Sequence, residues 1–214
     1  KVIGMSRTET DSVKQRKASH QEQYIHIEFD LSNTSEVKNL YLEKLKPLGP
    51  IYGLVNNAAI AYDDLATNAN VEELENMFRV NVFSPIILTK YVIRDMLLNK
   101  TKGSIVNISS ISASTGYKGL SMYGATKGSL ESFSKGIARE WGSKGIRSNC
   151  VSPGFMETKM SSSLSAEQKE RIFRRTCLRS ATEERSVAST VLFLLSEGAS
   201  SVTSQSFVVD CGTI

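Results

Sequence analysis

The 214 residues include only two histidines and three cysteines. Cys150, Cys177 and Cys211 are odd in number, widely spaced and free of any CxxC pairing, so neither a disulfide framework nor a zinc site is indicated. His20 and His26 have no third ligand and no HExxH context, which leaves metal chemistry without support. No apolar run reaches the ~18 residues of a spanning helix, and no secretory leader is visible. The expected compartment is therefore cytoplasmic and reducing, with no membrane partner. Long runs of one charge sign are absent too, and a net charge of +4 is small for this length. Nucleic acid is not expected as a partner. One basic cluster, Arg171, Arg174, Arg175 and Arg179, has helical spacing. It reads first as a solvated face and second as a greeting surface for an anionic substrate.

What is present is a soluble-type composition, 40% apolar and 22% charged, arranged as strand, helix, strand, helix. Lys1–Ser6 (KVIGMS) reads as a buried strand, and Tyr24–Asp30 alternates with Ile25, Ile27 and Phe29 on one face. Asn33 to Glu36 offers a capping-box-like helix start. Val37, Leu40, Tyr41 and Leu45 then recur at helical spacing until Pro47 and Gly49. Ile51–Val55 is a short strand running into NNAA. Val71 to Leu98 is helical, with a kink or break expected at Pro85. Strand Ser104–Ser109, helix Ser121–Trp141, strand Arg147–Ser152, helix Ser186–Leu195 and strand Ser206–Asp210 follow. Strands of five or six residues separated by helices imply β-α-β units, hence an α/β fold with a doubly wound parallel sheet, Rossmann-like, in one domain over residues 1–214. Ligands of such sheets bind beyond the carboxyl ends of the strands.

Tyr123 and Lys127 lie four apart in YGATK, so both side chains share one helix face. A phenol of ordinary pKa near 10 is a poor proton donor at neutral pH, and a neighbouring ammonium should pull that pKa down. Ser110 stands at the end of the strand SIVNIS, thirteen residues before Tyr123. Its hydroxyl can donate to a carbonyl oxygen as charge develops there. Alone, YxxxK reads equally well as a surface pair, and Ser110 as a turn-former or cap.

NNAA (Asn56 to Ala59), the Asn of RVNV, the Ser of ISS, YGATK and SPGFMET (Ser152 to Thr158) together resemble the ordered motif series of the short-chain dehydrogenase/reductases. Within that family GFMETKM and SLSAEQKERI are most similar to 3-oxoacyl-(acyl-carrier-protein) reductases. The resemblance implies a cytoplasmic enzyme of fatty acid biosynthesis that reduces a carbonyl, with the following roles. Tyr123 would be the general acid, and Lys127 would lower its pKa and bind the nicotinamide ribose. Ser110 would orient the carbonyl, and Asn81 would hold a water linking Lys127 to solvent. Asn57, Ala58 and Ala59 would line the adenosine side, and Asp30 and Leu31 would touch the adenine. Pro153, Gly154, Met156 and Thr158 would flank the nicotinamide. At the end of the chain's first strand Ser6-Arg7 replaces the acid that would repel a 2′-phosphate, so NADPH is favoured over NADH. A homo-oligomer, dimer or tetramer, is implied as well.

The sequence departs from the family pattern in three places. No GxxxGxG turn occurs, and the opening strand resembles the family's second. The expectation is that roughly thirty further residues precede it in the natural protein, carrying the first β-α unit, whose strand lies at the centre of the sheet. Ala59 stands where glycine is usual, and Cys211 replaces the first of two glycines near the chain end. The substrate expected first is a 3-oxoacyl thioester, with Lys100, Lys102, Lys144 and Arg147 as a basic face for an acidic carrier protein. A sugar, a steroid or another small ketone is the alternative, selected through Phe155 to Arg175. A non-catalytic dinucleotide sensor is the third reading.

Overall fold

Each short apolar run that ends in a turn residue becomes a strand because a helix carries the chain back to start the next strand parallel to it. The computed structural model describes residues 1–20, 23–158, 161 and 164–214. Its strands are β1 (Val2–Ser6), β2 (Tyr24–Glu28), β3 (Gly53–Asn56), β4 (Ser104–Ile108), β5 (Arg147–Pro153) and β6 (Ser206–Val209). Its helices are α1 (Asp11–Ser19), α2 (Val37–Leu40), α3 (Val71–Phe78), α4 (Ser84–Leu98), α5 (Ser121–Trp141), α6 (Ala166–Phe173) and α7 (Glu184–Leu195). All strand pairings are parallel, with Ile108 opposite Val151 and Val151 opposite Phe207 in the register that matters most below. Consecutive residues of β4 face opposite layers. Ile105 packs with Val37, Leu40, Leu45, Leu88, Val92 and Met96 from α2, its continuation and α4, whereas Val106 and Ile108 pack with Val187 and Leu194 of α7. Helices therefore cover both faces, as the doubly wound reading requires.

The sheet is in two sections, β1–β2 and β3–β4–β5–β6. The facing edges of β1 and β3 make no ladder with each other. Between them runs a cleft of about 860 Å³, lined by Ile3, Met5, Leu54 and Val55 among others.

Local departures have local causes. Asn33 caps nothing with its side chain, and the expected capping box is instead a 3-10 turn at Thr34–Glu36 that leads into α2. Pro85 does not break its helix. A π turn, Arg79–Phe83, widens the backbone just before it, and Pro85 falls in the first turn of α4, where a missing N–H is tolerated. No residue of α1 is buried, so no apolar periodicity announced it. Helix α6 carries a capping box, in which the Ser165 hydroxyl accepts from Gln168 N and the Gln168 side chain accepts from Ser165 N.

Near the chain end Asp210 organises a tight turn by accepting from the backbone N–H groups of Gly212, Thr213 and Ile214. The turn holds Cys211 at φ 58°, in the left-handed region that a side chain resists, followed by Gly212 at φ 75°. Relief of that strain outweighs the added chain entropy of glycine. Cys211→Gly should therefore stabilise the fold by about 0.5–1 kcal/mol, seen as a small rise in thermal midpoint. A lowered midpoint would contradict this.

Candidate active site at the carboxyl ends of the strands

Helix α5 begins only after the chain has left β4 and passed Ser110. Ser110 caps the short turn Ile111–Ala113 by accepting from Ser112 N, so the bland reading of this serine is also true. What brings the helix close is Gly124. A Cβ there would lie 2.5 Å from the Ser112 carbonyl oxygen, so only glycine lets α5 press against this turn. Tyr123, one residue earlier, is thereby brought near Ser110, whose hydroxyl favours the phenolate.

The Lys127 ammonium lies 5.6 Å from the centroid of the Tyr123 ring and donates to the Ile108 carbonyl at 2.8 Å. Its side chain is buried, with 2% exposure. Burial disfavours the charge and brings the Lys127 pKa down to about 8. The expectation that Lys127 depresses the Tyr123 pKa is corrected here. Tyr123 is pushed up to about 12, first by burial and then by the negative charge of Asp63, against the smaller opposing effect of Ser110. The ammonium sits over the ring and bonds to a backbone carbonyl, not to the phenol oxygen. At neutral pH Tyr123 is thus a protonated phenol, and Lys127 is still largely charged.

Asn81 is fully buried in the π turn before α4. Its side-chain oxygen accepts from Ile60 N, and its amide donates to Ile60 O and to Thr126 Oγ1. Asn81 thus ties the loop after β3 to α5, directly beside Lys127. Thr126 completes the tie by donating to Tyr123 O at 2.8 Å.

A second group forms around a cavity of about 250 Å³ at the ends of β1, β2 and β3. Ser6, Arg7, Asp30, Leu31, Ala58 and Ala59 line it, with Met5, Phe29 and Val80 as apolar walls. Asn57 lies on the larger cleft instead. Asp30 is held below its ordinary pKa chiefly by the backbone N–H of Ser32, with a smaller contribution from Arg7. The Ser6 hydroxyl donates to Thr8 O, which leaves its oxygen to accept from His26 Nε2 at 2.9 Å. From the sequence, His26 is weighed only as a metal ligand, not as a partner of Ser6. Apolar walls with Ser6, the exposed Arg7 and Asp30 beside them could hold the adenosine half of a dinucleotide.

Pro153 ends β5 and Gly154 follows it, beside Ser110, since Ser109 N donates to Val151 O across the β4–β5 pair. Met156 turns into the apolar layer under α7, and Thr158 N donates to Ser161 Oγ. The stretch GFMETKM continues into Lys159 and Met160, and SLSAEQKERI begins at Ser163. These three lie outside the described residues, as does Ser162 of the Phe155 to Arg175 segment.

One surface expectation is corrected and another stands. Lys100 and Lys102 precede β4, and Lys144 precedes β5. They lie at the amino ends of the strands, ~17 Å from the carboxyl ends where Tyr123 sits, at about 3.3 Å per residue. Arg147 points inward, donating to the carbonyls of Leu194, Val202 and Ser196. This set therefore lies away from the end of the sheet that holds Tyr123. In the arginine cluster, Arg171 and Arg174 pair with Glu167 and Glu170 one turn earlier on α6, the pattern of a solvated face.

Comparisons with known proteins agree with this geometry. A family profile described as enoyl-(acyl carrier protein) reductase matches residues 1–213. The chain is 34% identical, over 99% of its length and 86% of the relative's, to the 3-oxoacyl-(acyl-carrier-protein) reductase FabG of Buchnera aphidicola subsp. Acyrthosiphon pisum (strain APS). A gluconate 5-dehydrogenase from Burkholderia cenocepacia J2315, solved in complex with NADP and tartrate, superimposes with a TM-score of 0.91 at 25% identity. That match covers 99% of this chain and 84% of the other. A 4-hydroxyisoleucine dehydrogenase complexed with NADH gives 0.92 at 25% identity, covering 99% of this chain and 87% of the other. Among the described residues no helix is long and apolar enough to cross a membrane.

Proposed function

The chain belongs to the short-chain dehydrogenase/reductase family and is an NAD(P)-dependent oxidoreductase; from that premise we propose that it uses NADPH to reduce a 3-oxoacyl thioester to the 3-hydroxyacyl product. The observation that carries the reading is the meeting of Tyr123, Ser110 and Lys127 at the carboxyl ends of β4 and β5. The domain is taken as residues 1–214, the compartment as cytoplasmic, and the substrate as a small carbonyl compound that an acyl carrier protein can bear. Exposed apolar residues Leu192 and Phe193 on α7 and Val208 on β6 support a homo-oligomer.

The dinucleotide, when bound, supplies the hydride. Ser6, Arg7, Asp30, Leu31, Ala58 and Ala59 would hold its adenosine half, with Asn57 alongside. Lys127, Pro153, Gly154, Met156 and Thr158 would hold the nicotinamide half. Ser110 donates a hydrogen bond to the substrate oxygen, which stabilises the negative charge that grows there. Tyr123 gives its proton to that oxygen, and an alkoxide is basic enough to take it from a phenol of high pKa. Lys127 stabilises the phenolate left behind. Asn81 and Thr126 keep the start of α5 in place.

Two experiments test the reading. Purified protein should oxidise NADPH when given an acetoacetyl thioester; a rate no faster than in buffer would overturn the thioester assignment. A sugar substrate is the second reading, supported by the gluconate dehydrogenase likeness, and faster turnover of a sugar-derived ketone would favour it. For the cofactor, Arg7→Ala removes a charge-assisted contact to the 2′-phosphate. It should weaken NADPH binding about 10- to 100-fold and leave NADH binding unchanged. Equal loss for both dinucleotides would remove Arg7 from this role.

A further inference from the structure

Tyr123, Lys127 and Glu131 recur every four residues along α5 and so share a face, with Glu131 one turn beyond the lysine. One carboxylate oxygen of Glu131, Oε1, accepts two hydroxyl hydrogens, from Ser109 at 2.8 Å and from Ser152 at 2.8 Å. Both serines are buried, at 2% exposure each. Ser109 follows the last residue of β4 and immediately precedes Ser110, and Ser152 immediately precedes Pro153. Below this contact the same helix touches β5 again. The Cys150 thiol lies 3.8 Å from Leu130 O, and the Ser134 and Ser148 hydroxyls are 2.8 Å apart. Ser148, Cys150 and Ser152 alternate along β5 and therefore present one face to α5.

Apolar packing between a helix and a sheet is non-directional and tolerates sliding by fractions of an ångström. A single oxygen accepting two short hydrogen bonds from two different strands does not. We propose that Glu131 is a positioning residue. By binding Ser109 and Ser152 together, it fixes the carboxyl ends of β4 and β5 against α5 and so sets where Ser110 and Pro153 stand relative to Tyr123. This rests on the reading of Tyr123 and Ser110 given above. A displacement of ~1 Å between reacting groups costs on the order of 10²-fold in rate, which makes the contact consequential.

Glu131→Gln keeps an oxygen able to accept both hydroxyls, whereas Glu131→Leu removes it at similar bulk. The two variants and a Ser109→Ala/Ser152→Ala double variant are compared by steady-state kinetics, NADPH binding and hydrogen exchange of the full chain. Expected for Glu131→Leu is a kcat lower by about 10- to 100-fold, with the NADPH Kd within about twofold of wild type. Exchange at the amides of residues 109–112, 152 and 154 should be about tenfold faster in the same variant. Glu131→Gln should recover kcat to within about threefold with an unshifted pH profile, and the double serine variant should behave like Glu131→Leu. The proposal is overturned if folded Glu131→Leu keeps wild-type kcat, if Glu131→Gln is as impaired as Glu131→Leu, or if exchange at both strand ends is unaltered. Should the wild type reduce no carbonyl while the exchange pattern holds, the functional reading fails and the clamp stands.

Discussion

Tyr123→Phe is expected to lower kcat/KM for carbonyl reduction by about 10³-fold while leaving NADPH binding within about a factor of two. The substitution removes one oxygen and keeps the ring that Lys127 covers at 5.6 Å. The fold should therefore tolerate it, and the loss reports proton delivery alone. The phenol's high pKa, about 12, means the wild type carries this proton through the neutral range and beyond, so loss of the acid form does not set the alkaline limb of reduction. Full activity in Tyr123→Phe would show that this phenol is not the proton donor.

The second large effect concerns Lys127, where activity and stability should move in opposite directions. Lys127→Met should cost about 10²-fold in kcat, because the phenolate formed during reduction loses its neighbouring positive charge. The same change relieves the fold of a buried ammonium. Lys127 is depressed to about 8 from an ordinary 10.5, so the folded state carries the full penalty of that charge below about pH 8. Between 8 and 10.5 the unfolded chain binds more protons than the folded one, and wild-type stability must rise with pH across that window. Lys127→Met should be about 1–3 kcal/mol more stable than wild type at pH 7, even after losing the bond to the Ile108 carbonyl, and should lack this rise. Wild-type reduction should decline as pH climbs through about 8 and the ammonium is lost. A Lys127→Met protein that melts below wild type at pH 7 would show the hydrogen bond to outweigh the desolvation. A wild-type rate flat to pH 10 would remove the ammonium from the reaction.

The contrast between α5 and α1 shows why some of the fold could be read from the chain. Helix α5 was bounded correctly at Ser121 and Trp141 because Met122, Leu130 and Ile137 are buried at helical spacing. Helix α1 buries nothing, so its residues carry no periodic signal. Helix α6 did carry one, the Ser165 and Gln168 capping pair, which is a polar signal and not an apolar period. Glu131 was equally open to discovery from its spacing after Lys127. Asp63 was not, since nothing local in its loop says that it faces a phenol sixty residues later. Pro85 misled for a related reason. The proline rule concerns α-helical geometry, and the π turn at Arg79–Phe83 removes the clash before it arises.

The order and spacing of short motifs determined the family, the parallel α/β architecture, and the residues gathered at the carboxyl ends of the strands. Those features are encoded by neighbours in sequence and by side-chain periodicity. Tertiary structure alone decided the electrostatics. Whether a phenol is made more or less acidic depends on its burial and on charges brought from distant loops. Whether a lysine or an arginine faces a ligand depends on which end of a strand it occupies. Both are sums over groups that only folding brings within a few ångströms of one another.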